Sequence, residues 1–275
     1  MYESELHDKD RLFFWVSIDD IERVYFPRRG IKELMAMPTK ALDDHLKTVY
    51  EFICFLLKSG LNIKDLGITY STLMGHYFSN ISDINIVVYG KDKFWKLMKY
   101  LEDANHPMLR WKNDQEWMEF HNKRNRYKIF SKEAFLRDMK RKKSEGFFNN
   151  ALFIIFAAEE ENEVWFKWGS EKYETIGQAT VEGIVINDYD SIVRPGCYEI
   201  KDSKIIEGKF NAEIKKIVFY SRDYCMLAKP GEKIMACGIL EKVVPKKGEV
   251  YHRIVVGYFD SYISDRREKE FIKTV

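Results

Sequence analysis

The chain has 275 residues, a length that suits one large domain or two modest ones. The composition is 45% hydrophobic and 15% aromatic, which excludes an intrinsically disordered chain. The 45 Lys and Arg residues nearly balance the 43 Asp and Glu residues, so the net charge of +2 does not by itself indicate a nucleic-acid partner. A basic binding surface would have to come from local clustering.

Two features bear on the compartment of the protein. No stretch approaches 18 uninterrupted apolar residues, so we expect no membrane span and no membrane partner. The opening MYESELHDKDRLFFWV is charged where a signal peptide would be apolar, so we expect a soluble, cytoplasmic protein. The cysteines show no CxxC spacing and are expected to be buried thiols. They are Cys54, Cys197, Cys225 and Cys237.

The first part of the chain predicts strands followed by a helix. RLFFWVSIDDIERVYFPRR alternates apolar and polar residues and predicts two short strands with a break near Asp19–Asp20. TKALDDHLKTVYEFICFLLKSG has apolar residues at three- and four-residue spacing, which predicts an amphipathic helix. Thr39 is the expected N-cap of this helix and Gly60 its C-terminal stop.

The next segments predict a short helix, a strand and a second helix. ITYSTLMGHYF indicates a loop that enters a short helix. DINIVVYG predicts a strand in which Ile84, Ile86 and Val88 share one face. KDKFWKLMKYLED predicts a helix with one apolar face.

Residues 111–146 are polar and basic and predict two helical pieces, with Ser131 as the cap of the second. After them, NALFIIFAAEEENEVWFKWG has the composition of a β-hairpin with EEENE as its turn.

From Gln178 onward the sequence predicts five strands, with a helix-sized insert, RDYCMLAKPGE, between the third and fourth. This is the element order of an OB-fold barrel. We therefore expect an α+β protein with an N-terminal domain at 1–170 and an OB-like β-barrel at 171–275.

The chemistry-bearing residues of the N-terminal domain converge on one strand. Asp83 and Asn85 are two apart, so they share a face at the start of the predicted strand, and Ser71 precedes them in the loop. Phosphoryl transfer with two metal ions needs carboxylates that converge from neighbouring strands. Small residues in an adjacent loop let backbone N–H groups approach phosphate.

This stretch resembles the nucleotidyltransferase superfamily that includes DNA polymerase β. The signature of that family is Gly-Gly or Gly-Ser, a spacer, and then Asp-apolar-Asp or Asp-apolar-Glu. Here Tyr70–Ser71 takes the first place, TLMGHYFSNIS is the spacer, and Asp83–Ile84–Asn85 takes the second. The run SDINIVVYGKD is especially similar to archaeal predicted nucleotidyltransferases, so the expected first domain is a nucleotidyltransferase-like mixed sheet with helices.

The resemblance implies roles for individual residues. Asp83 would be the principal Mg²⁺ ligand, with Asn85 as a second, neutral ligand at the catalytic position. Tyr70, Ser71 and Ser82 would contact the nucleotide.

The sequence also departs from the family pattern. Tyr70 replaces the glycine, and Asn85 replaces the second carboxylate. The best candidate for the third strand, LFIIFAA, contains no carboxylate, and Glu159 and Glu160 only follow its end.

Two basic clusters with interleaved aromatic residues are candidates for nucleic-acid binding, although a solvated helix face explains them equally well. The first cluster consists of Lys123, Arg124, Arg126 and Lys128, and the second of Arg137, Lys140, Arg141, Lys142 and Lys143.

Three functional hypotheses follow. The leading one is a nucleotidyltransferase-like protein that binds a nucleoside triphosphate or nucleic acid, with Mg-dependent transfer weak or lost. The second is an active nucleotidyltransferase that uses Asp83 with Glu159 or Glu160. The third is a non-catalytic protein-interaction subunit, whose partner the sequence does not identify.

Overall fold

The structure is a computed structural model that describes residues 2–3, 14–79, 81–123, 131–164, 167, 169–258 and 269–275. The α-helices in these ranges are α1 (Pro27–Ala36), α2 (Asp44–Leu57), α3 (Tyr70–Met74), α4 (Lys91–Glu102), α5 (Asp114–Lys123) and α6 (Lys132–Lys140). The strands are β1 (Tyr2–Glu3), β2 (Phe14–Trp15), β3 (Leu66–Ile68), β4 (Ile84–Tyr89), β5 (Leu109–Arg110), β6 (Glu145–Phe148), β7 (Ala151–Ala158), β8 (Glu171–Asn187), β9 (Gly196–Glu207), β10 (Ile214–Phe219), β11 (Lys233–Pro245), β12 (Tyr251–Val256) and β13 (Phe271–Thr274). The protein is therefore of mixed α+β type, with two mixed sheets, as expected from the sequence.

The chain forms two compact units. The first, here called the mixed unit, consists of Arg23–Glu119 and Lys140–Val164. The second, here called the β unit, consists of Met1–Glu22, Phe120–Met139 and Trp165–Val275. Unlike a division at residue 170, this grouping assigns most of α6 to the β unit. A hydrogen bond joins α6 to this unit: the Thr274 hydroxyl of β13 donates to the Asp138 carboxylate of α6, with oxygen distances of 2.8 and 2.9 Å.

The sheet of the mixed unit has the strand order β3-β4-β7-β6-β5. Strands β4 and β7 are parallel, and the other pairs are antiparallel. One face carries the apolar core, in which Phe52 of α2 contacts Phe148 at 5.0 Å and Phe153 at 4.6 Å between ring centroids. The opposite face is less buried. There α1 covers β3 so closely that a Cβ on Gly67 would lie 2.6 Å from Pro27 Cβ.

Helix α2 confirms the predicted amphipathic helix, but its predicted N-cap was wrong. Asp43 caps the helix, since its carboxylate accepts a hydrogen bond from the Leu46 amide at 2.8 Å. Thr39 lies instead in a separate 3₁₀ turn, Thr39–Ala41, and Leu42 between the two is extended. The aspartate, which stands nearer the apolar run, provides the acceptor that the first turn requires.

The other four predicted helices, α3 to α6, and the predicted strand β4 are confirmed. Strand β4 and helix α4 follow α3 as expected, and α3 is a single short helix. Ser131 caps α6 by accepting a hydrogen bond from the Ala134 amide at 3.2 Å.

Two predictions near strand ends were wrong. The hairpin lies upstream of the EEENE segment, with β6 and β7 joined at Asn149–Asn150, where both residues have positive φ. EEENE contains the 3₁₀ turn Glu161–Glu163 instead of a hairpin turn. In the N-terminal segment, strand β2 and the break at the 3₁₀ turn Ile18–Asp20 agree with the prediction, but the second strand was wrong, because residues 21–26 form no strand and α1 begins at Pro27.

The five strands predicted in the C-terminal region are confirmed as β8 to β12, and β13 adds a sixth. Strand β12 pairs with β10 in parallel and with β11 antiparallel, while β8 pairs with both β9 and β11. Strand β9 also pairs with β10, so the strand order is β12-β10-β9-β8-β11-β13, with an additional pairing between β12 and β11. The insert between β10 and β11 contains only the 3₁₀ turn Arg222–Tyr224 and not a full helix.

The core of the β unit is a row of side chains that are paired across four neighbouring strands. Tyr198, Ile217, Ile254 and Leu240 are in register and fully buried. The Tyr198 hydroxyl donates to the Tyr224 carbonyl at 2.6 Å and accepts from the Leu227 amide at 2.7 Å, so this buried phenol is fully hydrogen-bonded. Tyr198 and Phe219 are thus core residues.

Gly238 of β11 is expected to be intolerant of any side chain. A Cβ at this position would overlap the Val255 carbonyl oxygen, and Val256 Cγ2 would lie 2.9 Å away. Gly238→Ala should therefore lower the free energy of unfolding by about 3 kcal/mol, the upper part of the range for overpacking.

Gly248→Ala is the control, because Gly248 has φ +107° but its nearest neighbour, Pro245 Cγ, lies 3.8 Å from such a Cβ. It should cost about 1 kcal/mol. Chemical denaturation of the two variants measures their losses of unfolding free energy. Equal losses would contradict the steric overlap at Gly238.

Candidate functional site

The loop that contains Ser71 lies directly beside the start of β4. The Thr69 amide donates to the Asn85 carbonyl at 3.0 Å, and the Thr69 hydroxyl donates to the same oxygen at 3.3 Å. Helix α3 begins at the next residue, Tyr70, so Ser71 lies in its first turn. The structure thus brings Tyr70 and Ser71 together with the segment that contains Asp83 and Asn85.

Tyr70 has an unusual backbone conformation. Its φ is +52°, in the left-handed region that glycine adopts readily. For a residue with a Cβ this conformation costs about 1–2 kcal/mol. The Tyr70 side chain is 54% exposed, and its ring contacts Phe156 at 5.8 Å between centroids. This contact offsets the strain only in part, so the fold holds the backbone here against its preference.

The three polar residues before and within β4 differ in their roles. The Ser82 hydroxyl accepts a hydrogen bond from the Phe78 amide at 2.9 Å and therefore closes the loop. Asn85 is buried, and its Nδ2 donates to the Asp83 carbonyl at 3.4 Å. Asp83 is half-buried and lies immediately before β4. By strand alternation the Asn85 side chain belongs to the less buried face of the sheet, and Asp83 is two residues before it at the edge of the strand.

The neighbouring strand offers apolar side chains where a third carboxylate would be required. Ile154 of β7 is in register with Asn85, and Leu152 precedes it by two residues on the same face. The nearest carboxylate in that row is Glu145 of β6, paired with Ile154. It lies two strands from Asn85, about 10 Å away, and forms a largely buried ion pair with Lys112.

Glu159 and Glu160 do not lie near Asp83. Because β4 and β7 are parallel, with Tyr89 opposite Ala158, both glutamates follow the far end of the sheet. Seven residues separate Leu152 from Glu159, which at the rise of a strand is about 20 Å. An arrangement in which Asp83 shares metal ions with either glutamate is therefore incompatible with this register.

The glutamates instead stabilise the far end of the sheet. Glu159 pairs with the buried Lys91 at 3.1 Å, and Glu160 pairs with Arg28. The Glu163 carboxylate accepts a bifurcated hydrogen bond from the Lys91 amide, with both oxygens at 3.1 Å, at the N-terminus of α4. A carboxylate at this position also interacts favourably with the helix dipole.

The donor set near Asp83 fits at most one magnesium ion. Mg²⁺ is commonly held by one or two carboxylates together with substrate phosphates. Asp83 supplies one carboxylate, and the Asn85 amide oxygen is a neutral second ligand. In the part of the chain that the structure describes, no group of three or more His, Cys, Asp or Glu side chains could hold a metal ion. A two-metal site does not fit these residues.

A buried histidine supports the loop, and the sequence analysis missed it. His45 Nε2 forms a hydrogen bond with Thr72 Oγ1 at 3.1 Å, and the His45 ring stacks on Tyr77 at 4.6 Å. The Tyr77 hydroxyl donates to the Asp43 carboxylate at 2.6 Å. These contacts connect both ends of the α3 loop to the start of α2. His45 lies in the first turn of a helix, without a spacing motif that could have identified it.

The ionisation of this group follows from its burial. Burial lowers the pKa of His45, and the Asp43 carboxylate opposes the shift only in part. Burial and the hydrogen bond to Asp43 raise the pKa of Tyr77 to about 12. His45 is therefore held in its neutral form.

The basic clusters are only partly available for binding. Arg124, Arg126 and Lys128 lie outside the described residues, and Lys123 is the last residue of α5. In the second cluster, Lys140 pairs with Asp114 at 2.7 Å. The other basic side chains of this cluster are paired or at least partly buried. Arg137 pairs with Asp138 at 3.1 Å, Arg141 is half-buried, Lys142 is buried, and Lys143 lies over the Trp111 ring at 4.7 Å. Burial lowers the pKa of Lys143.

The four cysteines are free thiols. Cys197, Cys225 and Cys237 are buried, as expected, and Cys54 is half-buried. In the ranges that the structure covers, no helix is both long enough and apolar enough to cross a membrane.

One relative is similar over much of the chain. The uncharacterized protein MJ1086 of Methanocaldococcus jannaschii is 34% identical over 213 residues, which cover 76% of this chain. The chain spans 61% of the length of that relative, whose name assigns no activity. No protein-family model matches the sequence. No solved structure matches the chain.

The strain at Tyr70 can be measured with two substitutions. Tyr70→Gly and Tyr70→Ala both remove the ring contact with Phe156, but only alanine keeps a Cβ at φ +52°. The glycine variant should therefore have a free energy of unfolding about 1 kcal/mol higher than the alanine variant. Chemical denaturation of the two proteins tests this. An alanine variant of equal or greater stability would show that Tyr70 is not strained.

The buried His45 predicts a specific pH dependence of stability. Between the lowered native pKa and the usual 6.5, the unfolded chain binds more protons at His45 than the native protein does. The free energy of unfolding should therefore fall as the pH decreases through and below 6.5. The His45→Asn variant keeps a polar partner for Thr72. Its thermal unfolding temperature should decrease less steeply than that of the unaltered protein as the pH is lowered from neutral to acid. Parallel pH profiles for the two proteins would contradict a buried neutral imidazole.

Proposed function

We propose that this chain is a nucleotidyltransferase-like protein that binds a nucleoside triphosphate at Asp83 and Ser71, with nucleotidyl transfer weak or lost. The observation that carries the proposal is the left-handed backbone of Tyr70 directly before Ser71. The resemblance noted in the sequence has glycine at this position, and the tyrosine here retains the conformation that glycine adopts readily. Strained backbone of this kind is concentrated at ligand sites.

The arrangement around β4 supports binding of a nucleotide with its metal ion. Asp83 offers a carboxylate for one Mg²⁺ that arrives with the phosphates, and the Asn85 amide oxygen is a second, weaker ligand. The bonds from Thr69 to the Asn85 carbonyl bring Ser71 and the loop backbone close to the start of β4, where they would contact the phosphates.

The same residues argue against efficient transfer. Two-metal chemistry requires several converging carboxylates to neutralise the charge of the triphosphate and to activate the attacking oxygen. Leu152 and Ile154 occupy the adjacent positions of β7 and carry no charge. A protein with this site would hold a nucleotide more readily than it would transfer one.

For the β unit we propose an OB-like barrel. The five strands β8 to β12 pair in a ring, with β10 and β12 parallel, and a five-stranded Greek-key barrel has such pairings. Barrels of this type often bind oligonucleotides, which supports nucleic acid as a second ligand for the chain.

The interaction-subunit hypothesis also has a supporting observation. The segment 16–26 exposes large apolar side chains without any regular secondary structure beyond its 3₁₀ turn. Val16, Ile18, Val24 and Phe26 are all more than half exposed. Apolar exposure of this extent is typical of segments that contact another protein.

Substitutions at Asp83 and Asn85 test the proposed nucleotide site. Asp83→Ala should abolish the Mg²⁺-dependent part of ATP binding, because it removes the carboxylate ligand. Asn85→Asp should tighten Mg²⁺-dependent ATP binding by about tenfold, since hydrogen bonds and contacts to charged groups contribute roughly 1.5 kcal/mol more than neutral ones. Isothermal titration calorimetry with and without Mg²⁺ measures both effects.

Asp44→Ala is the matched control, because the Asp44 carboxylate is 91% exposed in the same unit. It should bind Mg-ATP as the unaltered protein does. Mg²⁺-dependent binding that is unchanged in Asp83→Ala, or absent from the unaltered protein, would refute the nucleotide site.

A further inference from the structure

Two aromatic side chains of the segment 70–83, those of Tyr70 and Phe78, are exposed to solvent. Tyr70 is 54% exposed, and Phe78 is 71% exposed. The Tyr70 ring contacts Phe156, whereas Phe78 is the more exposed of the two, and an exposed aromatic ring is costly to leave in water. Single exposed apolar residues are common, but Phe78 lies in the loop that leads to Asp83.

Hydrogen bonds hold Phe78 close to the proposed metal ligand. The Phe78 amide donates to Ser82 Oγ at 2.9 Å, and the Ser82 amide donates to the Phe78 carbonyl at 3.0 Å. Ser82 immediately precedes Asp83. The exposed ring is therefore attached to a closed turn that ends at the proposed nucleotide site.

Tyr77, which precedes Phe78, is held by contacts with the start of α2. The Tyr77 hydroxyl donates to Asp43 at 2.6 Å, and the Tyr77 ring stacks on His45 at 4.6 Å. The bond between His45 and Thr72 at 3.1 Å connects the other end of the loop to the same anchor. These hydrogen bonds hold Tyr77 and Phe78 in place, which reduces the entropic cost of binding at the Phe78 ring.

We propose that Phe78 forms a stacking platform for the base of a nucleotide whose phosphates bind at Asp83 and Ser71. This inference rests on the proposed function and specifies its ligand as a nucleotide with its base, in contrast to an inorganic polyphosphate. Stacking on an aromatic ring is tolerant of base identity, because every base has a π-face. The platform therefore gives the site affinity for nucleotides with little preference among bases.

The neighbouring Ile81 provides a matched comparison. Its side chain is 79% exposed in the same closed turn, but it is aliphatic and has no ring to stack on a base. Phe78→Ala and Ile81→Ala remove exposed side chains of the same turn, so neither should disturb folding. Phe78→Trp keeps a ring at the platform.

The test uses isothermal titration calorimetry with two probes, Mg-ATP and Mg-tripolyphosphate, on the full chain. Phe78→Ala should weaken Mg-ATP binding by about tenfold and leave tripolyphosphate binding unchanged. Phe78→Trp and Ile81→Ala should bind Mg-ATP within about twofold of the unaltered protein.

Other outcomes overturn the platform in distinguishable ways. If tripolyphosphate binds as tightly as ATP in an Asp83-dependent manner, or if Phe78→Ala leaves ATP binding unchanged, the stacking platform is refuted while the proposed nucleotide site stands. If Phe78→Ala abolishes self-association of the chain and leaves ATP binding unchanged, the exposed ring is a contact between copies and not a base platform. If neither probe binds the unaltered protein, both the platform and the proposed function are refuted.

Discussion

The hydrogen bond from the Thr69 amide to the Asn85 carbonyl is the contact on which the arrangement of the site depends. It continues the antiparallel pairing of β3 and β4 by one residue beyond Ile68 and Ile86. The chain then has to leave the sheet at once to form α3, and it does so through the left-handed backbone of Tyr70. Local strain at Tyr70 and the placement of Ser71 beside the start of β4 thus have one cause.

The secondary structure of the mixed unit was predictable where apolar residues recur at a regular spacing along the sequence. In α2, α4 and β4 the buried face is continuous, and core packing agrees with local propensity. Predictions failed where a few polar residues decide the backbone. Asp43 replaced Thr39 as the cap because its carboxylate reaches the Leu46 amide. The EEENE segment was predicted to be a hairpin turn because acidic runs are usually solvated. In the structure, Glu163 of this segment instead accepts a hydrogen bond from the Lys91 amide.

The site was predictable only in part. The i and i+2 spacing of Asp83 and Asn85 places both on one face, and no tertiary information is needed for that step. The register of β4 against β7 cannot be derived from the sequence, and it decides that Ile154 is the neighbour of Asn85 and that Glu159 is distant. His45 lies 27 positions before Thr72 in the chain, so only the fold shows that it supports the loop containing Thr72 and Tyr77.

The most direct test of the nucleotide site is a crystal structure of the chain with Mg²⁺ and a non-hydrolysable nucleoside triphosphate. The account predicts electron density for the triphosphate between Ser71 and Asp83, with a single metal ion within coordination distance of the Asp83 carboxylate. A triphosphate bound elsewhere on the protein, or a second metal ion held by Glu145 or Glu159, would contradict it.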